Sequence, residues 1–304
     1  MDQATKLRRL VRLEGERTRR QSAASITPTP GRGGPLVFAV TSGKGGVGKT
    51  NVAGNLAIAC QRMGKKVLIF DADLGLANLD VIFGLHPKHT IEETIRGERS
   101  LTEILLKGPE GVAIIPACSG VQELAHLTEG QKLNLLNEFE ALDQTFDIVL
   151  VDTGAGISSN VIFFNVAAEE RIIVVTPEPT SMTDAYALIK ILFFQQKLNH
   201  FILLSNMVKD ENQGKGVYEN LTRVIGKFMK GASIDYAGYI PWDEFLQKAV
   251  NRREPVITCY PAGSSSQRFR ALADFIVQQA DIRLSRANPK HFWQTLMGTT
   301  TANT

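Results

Sequence analysis

Residues 36–51 read LVFAVTSGKGGVGKTN: an apolar run, a glycine-rich loop, then the start of a helical stretch. Two phosphate-binding patterns overlap in the loop. Gly43, Gly45 and Gly48 satisfy GxGxxG, the dinucleotide fingerprint, and Asp71 ends the next apolar run where a ribose-binding acid would stand. Gly43 together with Gly48-Lys49-Thr50 also satisfies GxxxxGK(S/T). Chemistry separates the two. A dinucleotide site does not require a lysine and a hydroxyl after the last glycine, whereas a triphosphate site requires both. The expected phosphate cradle is Gly43, Gly45, Gly46, Val47, Gly48, Lys49, Thr50 and Asn51. Its backbone N–H groups turn inward on the phosphates, and the helix N-terminus adds positive potential. Lys49 then reaches the β- and γ-phosphates, and the Thr50 hydroxyl ligates Mg²⁺. Residues 147–152, DIVLVD, supply an apolar strand that ends in an acid, so Asp152 is expected beside the metal.

Outward from the loop, apolar runs at 36–42, 66–72, 112–117, 146–152, 171–177, 201–208 and 236–241 read as buried parallel strands. Helical stretches lie between them, among them 49–63, 131–142, 181–196, 215–230 and 266–284. The alternation predicts an α/β fold, a doubly wound, mostly parallel sheet with helices on both faces.

Composition bounds the alternatives. The chain has 304 residues, 43% hydrophobic and 21% charged, enough to bury a sizeable core. There is no apolar run of the length that spans a bilayer, about 18 residues or more. The first residues are basic with no apolar stretch behind them, so no secretory signal is expected. Cys60, Cys118 and Cys259 lie far apart and form no CxxC, which argues against a zinc knuckle, a bridging iron–sulfur site or a disulfide scaffold and suggests a reducing cytoplasmic setting. The net charge of +3 divides unevenly: residues 1–33 carry eight basic against three acidic side chains, and the remainder carries −2. An acidic body makes DNA an improbable partner.

The expected organisation has four parts. Residues 1–20 form a basic helix with Ala4, Leu7, Leu10 and Val11 on one face, and residues 21–35 form a flexible linker rich in Ser, Thr, Pro and Gly. Residues 36–284 form the nucleotide-binding domain, and 285–304 a C-terminal segment and tail. In that segment, on a helix, Phe292, Trp293, Leu296 and Met297 make one apolar stripe, with Lys290 and Gln294 away from it. A short helix bearing Trp and Phe suits a membrane interface.

The loop KGGVGKT, residues 44–50, resembles the deviant Walker A motif of the MinD/ParA family of P-loop ATPases. The resemblance implies that Lys44 reaches across a homodimer to the ATP of the other subunit, so that Lys44, Lys49 and Asp73 form the catalytic set. It implies that LIFDADLGLANLD, residues 68–80, is the first switch, with Asp73 orienting the attacking water and standing near the metal with Thr50 and Asp152. Asp71 and Asp73 are expected on opposite faces of the strand end, Asp71 with a structural or outer metal role. Residues 152–157, DTGAGI, resemble the second switch. Asn206, Pro241 and Asp243 are implied to bind adenine, with a helix cap as the alternative for Asp243.

The N-terminal Asp2-Gln3-Ala4-Thr5-Lys6-Leu7-Arg8 is similar to the DQAxxLR motif of the FlhG (FleN) branch, regulators of flagellar number and placement. That resemblance implies a slow, stimulated ATPase. Its implied partners are the SRP-type GTPase FlhF through Gln3, flagellar C-ring proteins, and the transcription regulator FleQ. It also implies a cytoplasmic protein that meets the inner face of the cell membrane when ATP-bound, through Phe292, Trp293, Leu296 and Met297. The alternatives are a ParA-like partitioning ATPase on DNA and a soluble regulator of a transcription factor.

Overall fold

A computed structural model describes residues 34–73, 79–116, 128–143 and 145–284. Gln3, the basic N-terminal helix, most of the linker, Cys118 and the segment 285–304 with Phe292, Trp293, Leu296 and Met297 lie outside the described residues.

The chain begins with strand β1 (Leu36–Ser42), helix α1 (Lys49–Arg62), strand β2 (Val67–Ala72) and three short helices, α2 (Leu79–Phe83), α3 (Ile91–Ile95) and α4 (Leu101–Ile104). Strands β3 (Leu106–Lys107) and β4 (Ala113–Ile115) follow, then α5 (Glu129–Asp143), β5 (Ile148–Ala155), α6 (Ser159–Ala167), β6 (Glu170–Val175) and α7 (Pro179–Phe194). The last part comprises β7 (His200–Val208), α8 (Glu211–Phe228), β8 (Ser233–Pro241), α9 (Glu244–Arg252), α10 (Val256–Cys259) and α11 (Ser264–Leu284).

The eight strands form one sheet in the order β3-β4-β2-β5-β1-β6-β7-β8. All neighbours are parallel except β3 and β4. The expected doubly wound sheet is thus present, with one antiparallel edge pair. β3 has two residues, too short for periodicity to reveal. β5 runs to Ala155, past the expected end at 152, because Ser42 still pairs with Ala155 after a local shift in register. The helix Ser159–Ala167 lies between β5 and β6, outside the stretches named from the sequence.

Alternation along the strands builds the core. Leu36, Phe38 and Val40 of β1 point to one face and pack with Val52, Leu56 and Ile58 of α1 and Phe269, Leu272 and Ile276 of α11. Val37 and Ala39 point to the other face, where Leu68, Phe70 and Val151 meet Phe139 of α5 and Phe164 of α6. Farther along that second face, Ile173 and Leu203 pack against Leu188 of α7 and Val217 of α8. The phosphate loop leaves the sheet at the carboxyl end of β1, between β5 and β6. From there the chain turns one way to β2 and, after β5, the other way to β6, the position where such sheets bind ligands.

Candidate active site

The loop between β1 and α1 is held by two close approaches. Gly48 has φ +87°, and a Cβ there would lie 2.6 Å from Asn206 Nδ2. A Cβ on Gly43 would lie 2.1 Å from the Asp184 carbonyl oxygen in α7. Both positions therefore require glycine, the first for conformation and space, the second for space alone. Gly48 occupies the N-cap of α1 without a side-chain cap, and the first turn holds no acid. The leading N–H groups of α1 are left for an anion.

Lys49 opens α1 and is buried, 8% exposed. Burial lowers its pKa, while the carboxylates of Asp152 and Asp73 pull it back up. Asp152 stands on β5 and is also buried. Burial pushes its carboxyl up to about 7; the Thr50 hydroxyl and the Lys49 charge oppose the shift, and Asp73 adds to it. Neither Asp152 oxygen has a well-directed hydrogen bond within the protein. A buried, unsatisfied carboxylate beside a threonine hydroxyl is an environment that a divalent cation completes. Among the described residues, no group of three or more His, Cys, Asp or Glu side chains could hold a metal ion. Thr50 and Asp152 fit Mg²⁺, which takes few protein ligands and completes its shell with water and phosphate oxygens.

The expectation for Asp71 and Asp73 needs correction. Asp71 pairs in register with Asp152, and the alternation of β2 puts it on the α1 face. Positions two apart in a strand share a face, so the same alternation carries Asp73 toward α1 rather than away from it. The interaction of Asp73 with Lys49 and Asp152 agrees with that placement. Asp71 is buried. Its carboxylate accepts from Asp73 N (3.2 Å) and Leu79 N (3.4 Å), joining the two sides of the switch loop. Gly154 leaves room for Asp73: an added Cβ would lie 3.5 Å from Asp73 Oδ1. Gly156 has φ +93°, and its N–H donates to the Ser42 carbonyl (2.9 Å), fastening the second switch to the end of β1.

Lys44 is held within its own chain. Its Nζ donates to Glu178 Oε2 (2.5 Å) and to Thr180 Oγ1 (2.9 Å), at the start of α7. Sequence reasoning missed both partners, although they follow the carboxyl end of β6, where a site residue would be sought.

At the other side of the loop, Asn206 lies near the end of β7 and donates from Nδ2 to the Val47 carbonyl (2.7 Å). Its Oδ1 is left to accept. Pro241 ends β8. Asp243 caps α9, accepting at Oδ1 from Phe245 N (2.9 Å) and at Oδ2 from Ser264 Oγ (3.0 Å), Ser265 N (3.0 Å) and Ser265 Oγ (2.7 Å). Burial opposes its charge, but those bonds, Ser265 foremost, prevail and hold its pKa below the ordinary value. Both oxygens are thus engaged in joining α9 to α11. Asn206, Pro241 and Asp243 nevertheless share a pocket with Gly48, Asn51, Met207 and Trp242.

This is the build of a P-loop nucleotide-binding protein. Residues 38–256 match the family model for the CobQ/CobB/MinD/ParA nucleotide binding domain. The chain is 44% identical over 254 residues to the antiactivator FleN of Pseudomonas aeruginosa, covering 84% of this chain and 89% of that protein. It is 34% identical over 269 residues to the flagellum site-determining protein YlxH of Helicobacter pylori, covering 88% and 91%. Among solved structures, MinD in the MinC:MinD cell division complex of Aquifex aeolicus superposes with a TM-score of 0.66 at 29% identity, covering 80% of this chain and 96% of that one. The chain belongs to the MinD/ParA nucleotide-binding family, in its FlhG (FleN) branch.

Proposed function

We propose that the chain is an ATP-driven dimerising switch that regulates flagellar number or placement. The observation that carries this reading is the pairing of a buried, cation-ready Asp152–Lys49 site with a second loop lysine, Lys44, whose partners among the described residues are Glu178 and Thr180. One lysine and the loop amides suffice to hold one nucleotide. Lys44 is 36% exposed at its side chain and Glu178 64%, so their ion pair is screened and weak. The γ-phosphate of a facing subunit offers Lys44 a more highly charged partner than Glu178 does. ATP-dependent exchange of one for the other would couple nucleotide to dimerisation.

Within the site, Lys49 neutralises phosphate charge and the amides of the loop orient it. Bound Mg²⁺ would supply further charge neutralisation beside Asp152 and Thr50. Asp73, half-buried just after β2, is assigned to orient a water. Asn206 Oδ1 accepts from the adenine amine and meets repulsion from a guanine carbonyl, which favours ATP over GTP. Hydrolysis is slow until a partner or surface completes the site. Asp73→Ala should bind ATP with ordinary affinity and release phosphate at least tenfold more slowly; ordinary turnover would remove Asp73 from the water.

The flagellar output is supported by the two relatives, one named an antiactivator and the other flagellum site-determining. Gln3 and the basic N-terminal helix are assigned to an FlhF-type GTPase, and C-ring proteins and FleQ are further partners under the same reading. The segment 285–304 is assigned to lipid. The division into residues 1–20, 21–35, 36–284 and 285–304 is part of the same proposal. No helix among the described residues is long and apolar enough to cross a membrane, so the membrane contact proposed is peripheral. The ParA-like reading on DNA has no observation in its favour beyond the shared fold.

A further inference from the structure

We infer that Asn165 and Thr41 form a buried lock that positions the second switch for hydrolysis, with Arg171 anchoring the helix that carries Asn165. This rests on the nucleotide reading above. The second switch runs directly into α6, whose N-cap is Ser158. Asn165, near the end of α6, is fully buried. Its Nδ2 donates to the Val161 carbonyl (2.8 Å) within the helix and to Thr41 Oγ1 (3.1 Å) on β1. Thr41 is also fully buried and stands two residues before Gly43, the first glycine of the phosphate loop. Asn165 Oδ1 is buried with no hydrogen-bond partner among the described residues. Asparagine is a poor helix former, and an unsatisfied carboxamide oxygen in a core is destabilising. An apolar side chain would fill the position without that penalty. What the carboxamide adds is a fixed link between α6 and the strand that launches the loop.

Arg171 secures the far end of α6. It stands on β6, and the register Ala39–Arg171 and Thr41–Ile173 puts Thr41 and Arg171 on one face of the sheet. Its buried guanidinium donates to the carbonyls of Asn165 (2.8 Å), Ala168 and Glu169 (3.1 Å), at the C-terminal end of α6. A cation there satisfies the last carbonyls and complements the helix dipole. Fixed at that end and at Thr41, α6 cannot slide freely along the sheet, and its first turn keeps its place. Val161 lies in that turn. A Cβ built on Gly154 would sit 3.6 Å from Val161 Cγ2 and 3.5 Å from Asp73 Oδ1. Val161 and Asp73 thus flank the same switch glycine. A shift of α6 reaches Gly154 and, through it, the carboxylate assigned to the water. Asn165 and Thr41 act through the switch and are positioning residues.

Two substitutions of Thr41 separate packing from the hydrogen bond. Thr41→Val keeps the branched shape and loses the hydroxyl. Thr41→Ser keeps the hydroxyl and loses a buried methyl. Each full-length chain, in excess over Mg-ATP, is followed through a single turnover of phosphate release, beside its melting temperature and its Mg-ADP affinity by calorimetry. A merely structural threonine would make release follow melting temperature. The lock predicts the opposite order. Thr41→Val should melt at or above Thr41→Ser, yet release phosphate about tenfold more slowly, a modest loss for displaced active-site geometry. Both should bind Mg-ADP within about twofold of the unaltered chain. Asn165→Ala should slow release as Thr41→Val does, and the double variant should be no slower than either alone. Release that tracks melting temperature, ordinary release in Thr41→Val, or a double variant slowed by the product of the single effects would overturn the lock and spare the nucleotide reading. An unaltered chain that binds no Mg-ADP would overturn both.

Discussion

Asp152 carries the clearest consequence at the scale of single residues. Its carboxyl is ordinary in the unfolded chain and is raised to about 7 in the fold by burial. A raised acid binds its proton more tightly when folded, so this group lowers stability as pH climbs from about 4 to 7, and the penalty is complete above that range. Asp152→Asn removes the charge and the slope together. The ligand-free variant should melt about 5 °C higher at pH 8 and gain less at pH 5.5. An equal loss of stability at both pH values would contradict the account of burial. The same residues show what the sequence carries. Lys49, Thr50 and Asp152 were legible because a loop, a helix start and a strand end are local features. Glu178 and Thr180 were not, since Lys44 meets them across 134 and 136 positions. The cap role of Asp243 was foreseen only as an alternative, because the serines that engage it lie 21 and 22 positions away.

At the scale of elements, the long parallel strands and amphipathic helices were readable from apolar runs and periodicity. The two-residue β3 fell below the length at which alternation speaks. The faces of Asp71 and Asp73 were misjudged through the strand period itself; register with β5 corrects it. α7 emerges as an element tied to the loop, through Lys44–Glu178 and the close approach of Gly43 to Asp184. The terminal segments are elements of another kind, proposed to meet partners rather than the core. One apolar stripe of four side chains gives marginal membrane affinity, and two on a dimer gain through effective concentration. Vesicles of anionic lipid should therefore float the ATP-bound chain and not the ADP-bound one, and cutting after Arg286 should abolish flotation. Flotation of the truncated chain would remove the assignment of residues 285–304. For the other end, Gln3→Ala should leave ATP handling intact and weaken stimulation of an FlhF-type GTPase; full stimulation would count against it.

For the whole molecule, the phosphate loop, the starts of both switches and α7 all follow the carboxyl ends of central strands, β1, β2, β5 and β6. Asp71 ties the first switch to β2, and Gly156 ties the second to β1, so both are fastened to strands of the central sheet. Lys44 leaves the same loop and meets Glu178 and Thr180 at the start of α7. Dimerisation through the surface that holds Lys44 is the central claim, and the molecular mass in solution tests it most directly. Asp73→Ala, which holds ATP unhydrolysed, is measured by light scattering with Mg-ATP and with Mg-ADP, beside the same chain also carrying Lys44→Ala. The account predicts a dimer with ATP, a monomer with ADP, and a monomer in both states once Lys44 is removed, with ATP still bound. A dimer that forms with ATP in the absence of Lys44, or a chain that stays monomeric with ATP bound, would contradict it.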